Sequence, residues 1–345
     1  MPAINHFGLD ICTHSIKVVQ LTGSTETPTF VTAGLFPTPN NVFVSEAPED
    51  QQALAETIKN LLKEARITTN RVVTALPESQ IFTRVVEMPQ LSKQEMESAI
   101  DYEAEQYVPI PISEVRLTWQ VISSRVGPDK KTIMDVLLVA APKNLIEKYL
   151  NILKAAGLNP VSLETETTAV IRALVQRIAG SPTTLVCSIG ASTTDLTIIS
   201  DNQIKFTRSI ATGGMALARG VANDLGFEID QAVEYMKTYG LDGTQLEGKV
   251  MQSIKPVFDV VVNEIRRAIA YYSGKNPDKP VKRVVLAGGT AKLPGIVIYL
   301  AESLGLEVQI GNPWDGIALP PGMSQKLIEE GTSYSVAVGL ALKAV

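Results

Sequence analysis

Two octapeptides decide the fold: Asp10-Ile11-Cys12-Thr13-His14-Ser15-Ile16-Lys17 near the start of the chain, and Ser188-Ile189-Gly190-Ala191-Ser192-Thr193-Thr194-Asp195 in its middle. They align without a gap, about 178 positions apart. Each leaves an apolar strand, sets small and hydroxyl residues at a turn and re-enters an apolar strand, the pattern of a β-hairpin. One such hairpin is only a turn. Two of the same form, each followed by helix and strand signals, predict a duplicated α/β fold with one cleft between its halves.

Outward from the first hairpin, Asp50 to Ala65 carries Leu54, Ile58, Leu61, Leu62 and Ala65 at helical spacing, and a strand follows at Arg71 to Leu76. A denser block begins with a strand from Ile81 to Glu87. Ser92 and Glu95 form a capping box, opening a helix with Met96, Ile100, Ala104 and Tyr107 on one face. Strands near Arg116 to Ser123 and Thr132 to Ala140 flank the turn Gly127-Pro128-Asp129, and a helix at Lys143 to Ala155 closes the block. These roughly 75 residues read as a small α+β module inserted between larger halves. Past the second hairpin, helices are expected near Ala216 to Leu225, Asp230 to Tyr239 and Lys249 to Ser273. Pro256 falls near the start of the last, where its missing amide hydrogen is tolerated. A strand at Lys282 to Leu286, the turn Gly288-Gly289 and a helix at Pro294 to Leu304 complete the pattern.

Composition narrows the function. Hydrophobic residues make up 45% of the 345, ample for real cores and against long disorder. The net charge of -5 argues against a nucleic-acid binder but leaves room for a small anion held by backbone amides. Cys12 and Cys187 cannot build a disulfide framework, and His6 and His14 leave no Cys/His zinc cluster. Neither a signal peptide nor a membrane span is expected, so attachment to a membrane would need another component.

A hairpin rich in hydroxyls and small residues can aim amides and side-chain donors at phosphate oxygens. In the first, Asp10 suits a hydrated Mg²⁺, with Ser15 and Lys17 meeting phosphates; in the second, Gly190, Ser192 and Thr193 close from the other side. A third element, Leu286-Ala287-Gly288-Gly289-Thr290-Ala291, lets backbone approach a ligand without an intervening Cβ. By contrast, Gly243 to Val250 fits G-x-x-x-x-G-K but puts Val250 where the Mg²⁺-binding hydroxyl belongs, and follows a helix. It reads as a loop. His6 and His14 read as incidental surface or turn residues, and Cys12 and Cys187 lack a redox motif.

Together and in this order, the three elements resemble the actin/Hsp70/FtsA ATP-binding superfamily. Within it, Met88-Pro89-Gln90-Leu91-Ser92-Lys93-Gln94-Glu95-Met96-Glu97 with Tyr102 through Pro111, Asn312-Pro313-Trp314 and Ser335 through Leu342 are similar to the PilM family of type IV pilus assembly proteins. The resemblance spans essentially the whole chain. It implies an actin-like (duplicated ribonuclease H-like) two-domain α/β fold with an inserted α+β subdomain. The expected divisions are 1–80 completed by about 159–180, an insert over 81–158, a second core over 181–215 and 281–330, a helical subdomain over 216–280 and an interdomain helix over 331–345.

The resemblance also implies ATP with Mg²⁺ in the cleft. Asp10, Thr13, Ser15 and Lys17 would belong to the first phosphate loop, with Asp10 toward the metal, and Gly190, Ala191, Ser192 and Thr193 to the second. Gly213, Gly214, Glu234 and Lys237 would line the ribose and adenine pocket, and Gly288, Gly289 and Thr290 the adenosine loop. Glu166 matches a cleft-facing acid at a helix start, although Glu164 and Glu166 equally suit the positive end of a helix. The implied role is a non-enzymatic scaffold, peripheral at the cytoplasmic face of the inner membrane. It would dock the N-terminal peptide of PilN near Ile81, Phe82, Met96 and Ile100, residues that read equally as core.

Two departures bear on turnover. Ser188 stands where the family's second loop has aspartate, so weakened metal binding and hydrolysis are expected. Cys12 replaces a glycine, which strains the backbone only if that position needs positive φ. Two rivals share the superfamily: an FtsA-like filament or membrane-tethering protein, disfavoured by the lack of a separate amphipathic tail, and an ATPase or sugar kinase, disfavoured by Ser188. Lys17→Ala or Gly289→Val is expected to lower nucleotide affinity without unfolding.

Overall fold

The computed structural model describes residues 3–39, 42, 45, 47–126, 131–175 and 181–345. The first half runs β1 (Phe7–Ile11), β2 (Ser15–Gly23), β3 (Pro28–Pro37), α1 (Pro48–Glu64) and β4 (Arg71–Leu76). The insert follows as β5 (Phe82–Pro89), α2 (Lys93–Glu105), β6 (Val115–Val126) and β7 (Thr132–Pro142). Next come α3 (Lys143–Ala155), β8 (Asn159–Thr165) and α4 (Glu166–Leu174). The second half runs β9 (Thr184–Ile189), β10 (Thr194–Ser200), β11 (Gln203–Ile210), α5 (Gly214–Leu225), α6 (Ile229–Tyr239) and α7 (Lys249–Lys275). It continues through β12 (Arg283–Ala287), α8 (Ile296–Leu304), β13 (Glu307–Ile310), α9 (Gln325–Glu329) and α10 (Ser335–Ala341).

The duplication is topological. One sheet has the order β3-β2-β1-β4-β8 and the other β11-β10-β9-β12-β13, with the first three strands antiparallel and the last two joined in parallel in both. The two octapeptides hold the same register: Asp10 lies opposite Lys17, and Ser188 opposite Asp195.

Strand alternation then assigns faces. Phe7, Leu9, Ile11, Ile16 and Val18 turn outward onto α1 and α3, while Leu185, Cys187, Ile189, Leu196 and Ile198 turn onto α5 to α8. The inner faces contribute Val19, Leu21, Val186, Ile199, Val285 and Ala287 to a core shared with α4 and α10. Asp10, Lys17, Ser188 and Asp195 sit at odd steps from the outward set, so all four face the space between the sheets. Glu164 is a β8 residue rather than a helix-start charge. It holds the Arg172 guanidinium at 2.9 and 3.1 Å, and Arg172 donates to Gly339 O at 2.6 Å, tying α4 to α10.

The insert is a sheet β5-β7-β6 with Met96, Ile100 and Ala104 of α2 packed onto Val86, Met88, Met134, Val136 and Leu138. The Ser92–Glu95 capping box forms in both directions. The insert ends earlier than residue 158, because Leu145, Tyr149, Ile152 and Leu153 of α3 bury into the first half's core beside α1. The turn Gly127-Pro128-Asp129 lies outside the described residues. Pro256 stands two turns inside α7 rather than at its start, and Gly243 to Gly248 form a turn segment before that helix, none of them lining the cleft. No helix among the described residues is long and apolar enough to cross a membrane.

Candidate functional site

Both hairpin tips and the Gly288-Gly289 turn open onto one cleft of about 640 Å³, within the range of small-ligand sites. Of the residues expected there, Asp10, Thr13, Ser15, Lys17, Glu166, Gly190, Ala191, Ser192, Thr193, Gly214, Lys237, Gly288, Gly289 and Thr290 line it. Gly213 does not; it is the residue before α5, packed so that a Cβ would lie 2.7 Å from Ala191 O. Glu234 is turned to solvent, its carboxylate taking the Lys237 ammonium at 3.0 Å.

The second loop is built backward from its carbonyls. Gly190 O accepts from Gly214 N at 2.9 Å and from Thr290 Oγ1 at 3.1 Å, and Ala191 O accepts from Met215 N at 2.9 Å. The start of α5, with its positive dipole end, is thereby docked against the loop. Across the cleft, the Thr13 and Ser192 hydroxyls meet at 3.1 Å, so the two tips touch. Gly288 has φ +83° and a Cβ there would strike the Ile189 backbone, whereas Gly289 has open space where its Cβ would be. A ligand can therefore approach that backbone closely. Met215, Val233, Met236 and Leu293 add an apolar wall beside Lys237 and Lys292.

The phosphate end carries more acid than the motifs suggest. Asp10 is 1% exposed and Lys17 5%, and the Lys17 ammonium lies 3.2 Å from Asp10 Oδ2. Burial opposes the lysine's charge, but Asp10 more than offsets this and holds Lys17 well above its ordinary value. Glu166 opens α4, accepts from Glu78 N at 3.2 Å, and is pushed well above the carboxylate range by burial, then by Asp10 and Asp195. Cys12 donates its thiol to Asp10 Oδ1 at 3.1 Å. Burial and Asp10 push that thiol up, so it stays protonated. Cys12 is not at positive φ, so replacing glycine causes no backbone strain there.

Three residues lie where the sequence did not place them. His6 is buried, with Nε2 3.3 Å from Leu340 O, and burial lowers its pKa; His14 lines the cleft mouth. Asp195 is the most consequential: the carboxylate missing at Ser188 stands directly across the strand pair. The gapless octapeptide alignment already held that signal, since position 195 pairs with 188 as Lys17 pairs with Asp10. Burial, reinforced by Glu78, pushes Asp195 up to about 7.

A folded-state value above the unfolded one gives stability that is full below the unfolded carboxylate range and lost as pH rises through about 7. Thermal melts should therefore show wild type losing ground to Asp195→Asn between about pH 5 and about pH 8. A gap independent of pH would contradict this assignment.

Carboxylates on three elements, one of them ion-paired, with glycine-backed loops and hydroxyls facing them, match the donor set that a nucleotide and hydrated Mg²⁺ require. The class is an actin-like fold: two halves of one topology around an interdomain cleft. A family model described as type IV pilus assembly protein PilM matches residues 8–345. The chain belongs to that family.

The structure titled PilM-PilN type IV pilus biogenesis complex is similar with a TM-score of 0.86 and 30% identity, over 99% of this chain and 98% of that one. MreB5 of Spiroplasma citri bound to AMPPNP shares the fold at a TM-score of 0.52 and 12% identity, over 97% and 95% of the two chains. Among curated proteins, ethanolamine utilization protein EutJ of Escherichia coli (strain K12) is 25% identical over 162 residues, 47% of this chain. Cell division protein FtsA of Neisseria meningitidis serogroup B (strain ATCC BAA-335 / MC58) is 26% identical over 181 residues, 45% of this chain. The matches span 51% and 41% of those two curated relatives.

Proposed function

We propose that this chain is an ATP-binding scaffold of type IV pilus assembly, working at the cytoplasmic face of the inner membrane through a PilN-type partner. The observation that carries this is the full-length similarity to the PilM of the PilM-PilN complex, joined to a cleft in which both hairpin tips and the Gly288-Gly289 turn converge. Thr13, Ser15, Ser192 and Thr193 would face the phosphates, and Gly289 with Val233, Met236 and Lys237 the nucleoside. Asp10 and Asp195 would face hydrated Mg²⁺, which supplies charge neutralisation to the phosphates when bound. Without an aspartate at 188 and with Glu166 held protonated, the cleft is suited to holding a nucleotide rather than turning it over.

For the partner, Met96 and Ile100 are 1% and 3% exposed inside the insert's own core, so they cannot form a groove wall. Ile81 and Phe82 do line a cavity of about 200 Å³ with Ala104, Tyr107 and Val108, closed on its other side by Thr207, Arg208 and Ser209 of β11. An extended apolar peptide end suits that surface. The test is calorimetry of ATP and of a matching PilN N-terminal peptide on wild type and Gly289→Val. The variant should fold normally and bind ATP about tenfold or more weakly, since a side chain fills the space that the ligand needs. Absence of ATP binding in wild type would overturn the nucleotide reading; absence of peptide binding, with or without ATP, would overturn the partner reading.

A further inference from the structure

A second concavity of about 710 Å³ lies between the insert and the second half, and shares no lining residue with the hairpin cleft. Six cations enter it from four elements: Arg84 of β5, Arg125 of β6, Lys205 and Arg208 of β11, and Arg267 and Lys275 of α7. Three carboxylates are shared among them. Glu87 takes Arg125 at 3.1 Å and Lys275 at 2.8 Å, and Asp135 takes Arg125 at 3.1 Å and Lys205 at 3.4 Å. Glu264 takes Arg208 at 2.8 Å and Arg267 at 2.7 Å. Arg84 has no carboxylate partner among the described residues; its guanidinium lies 4.1 Å from the centre of the Tyr107 ring. Six cations thus line one hollow with only Glu87 and Asp135 as lining carboxylates, Glu264 standing behind them, in a chain whose net charge is -5.

Like charges brought together raise the energy of the folded chain unless an anion joins them. We propose that this concavity binds a small polyanion carrying two or more phosphate-type groups. Four of the six cations are arginines, whose planar forks match phosphate oxygens bidentately. The cations converge on one hollow of small-ligand size instead of running along a line, which favours a compact anion over an extended acidic peptide. The arginines that share a carboxylate keep N–H donors to spare, whereas the Lys205 ammonium already donates to Ser123 Oγ, Gln203 Oε1 and Asp135 Oδ2 and contributes charge alone. The occupant would also join the insert to β11 and α7, where Thr207 Oγ1 already donates to Thr83 O at 3.1 Å. The inference stands apart from the nucleotide reading, because it uses none of the hairpin-cleft residues; it adjoins the cavity proposed for the peptide, with which it shares Arg84, Tyr107 and Arg208.

The test is calorimetric titration of sodium pyrophosphate into the whole chain at low ionic strength, using wild type, Arg84→Glu/Arg267→Glu and Gly289→Val. Pyrophosphate should bind wild type, lose about tenfold or more in affinity on charge reversal, and keep a binding event in Gly289→Val. Should the reversal variant melt early, Arg84→Ala/Lys275→Ala is expected to weaken binding in the same direction. Binding that survives both double variants but vanishes in Gly289→Val belongs to the hairpin cleft and overturns the proposal. So does no binding at millimolar pyrophosphate, or tighter binding of an oligo-glutamate peptide.

Discussion

Gly339→Val is expected to destabilise the protein by about 3 kcal/mol or more, the scale of severe overpacking against backbone. Gly339 lies inside α10, where α10 crosses α4, and a Cβ there would fall well inside van der Waals contact distance of the Ala169 carbonyl. Gly8 of β1 is pressed just as hard against the backbone of α10 at Ala337. Backbone against backbone leaves no flexible side chain to move aside. The milder Gly339→Ala is the sharper test of sign. Helix propensity alone favours alanine by about 1 kcal/mol, whereas the packing requires a loss. Urea denaturation with unchanged slope and a lower midpoint is the expected result; a midpoint at or above wild type would mean that α4 and α10 do not meet in this way.

Lys17→Ala should also cost about 3 kcal/mol, because it leaves the Asp10 carboxylate buried and unpaired. The sequence reading expected this variant to lose nucleotide affinity while folding normally. The structure revises that expectation, since both partners are buried and the ion pair is part of the cleft floor. Adding Asp10→Asn should recover most of the loss, an uncharged amide being far cheaper to bury than a lone carboxylate. If Lys17→Ala melts like wild type, the ammonium is not compensating Asp10. A double variant no more stable than Lys17→Ala would instead assign the cost to lost packing.

How much could be read in advance depends on the range of each interaction. The hairpins, the capping box at Ser92 and the two-halves arrangement rest on spacing of two or a few residues, so short stretches sufficed. The same alternation that placed Leu9 and Leu185 outward also delivered Asp10 and Ser188 to the cleft. Asp195 was legible from the octapeptide alignment, since it pairs with Ser188 as Lys17 pairs with Asp10. The boundary at 158 failed because α3 has the amphipathic pattern of any surface helix, and nothing local says whether α1 or α2 will cover it. Met96 and Ile100 failed for the same reason, since a buried stripe and a docking stripe look alike along one helix.

By itself, then, the sequence determined the duplicated α/β plan, the family resemblance and the three turns that meet at the cleft, all properties of near neighbours along the chain. Tertiary structure alone decided that Gly339 must lack a side chain, that Thr13 touches Ser192, that Lys17 is spent on Asp10 and that six cations converge between insert and second half. Each of these depends on backbone or charge brought together from distant segments, and the energy of such an encounter is set by separation in space, which residue spacing does not encode.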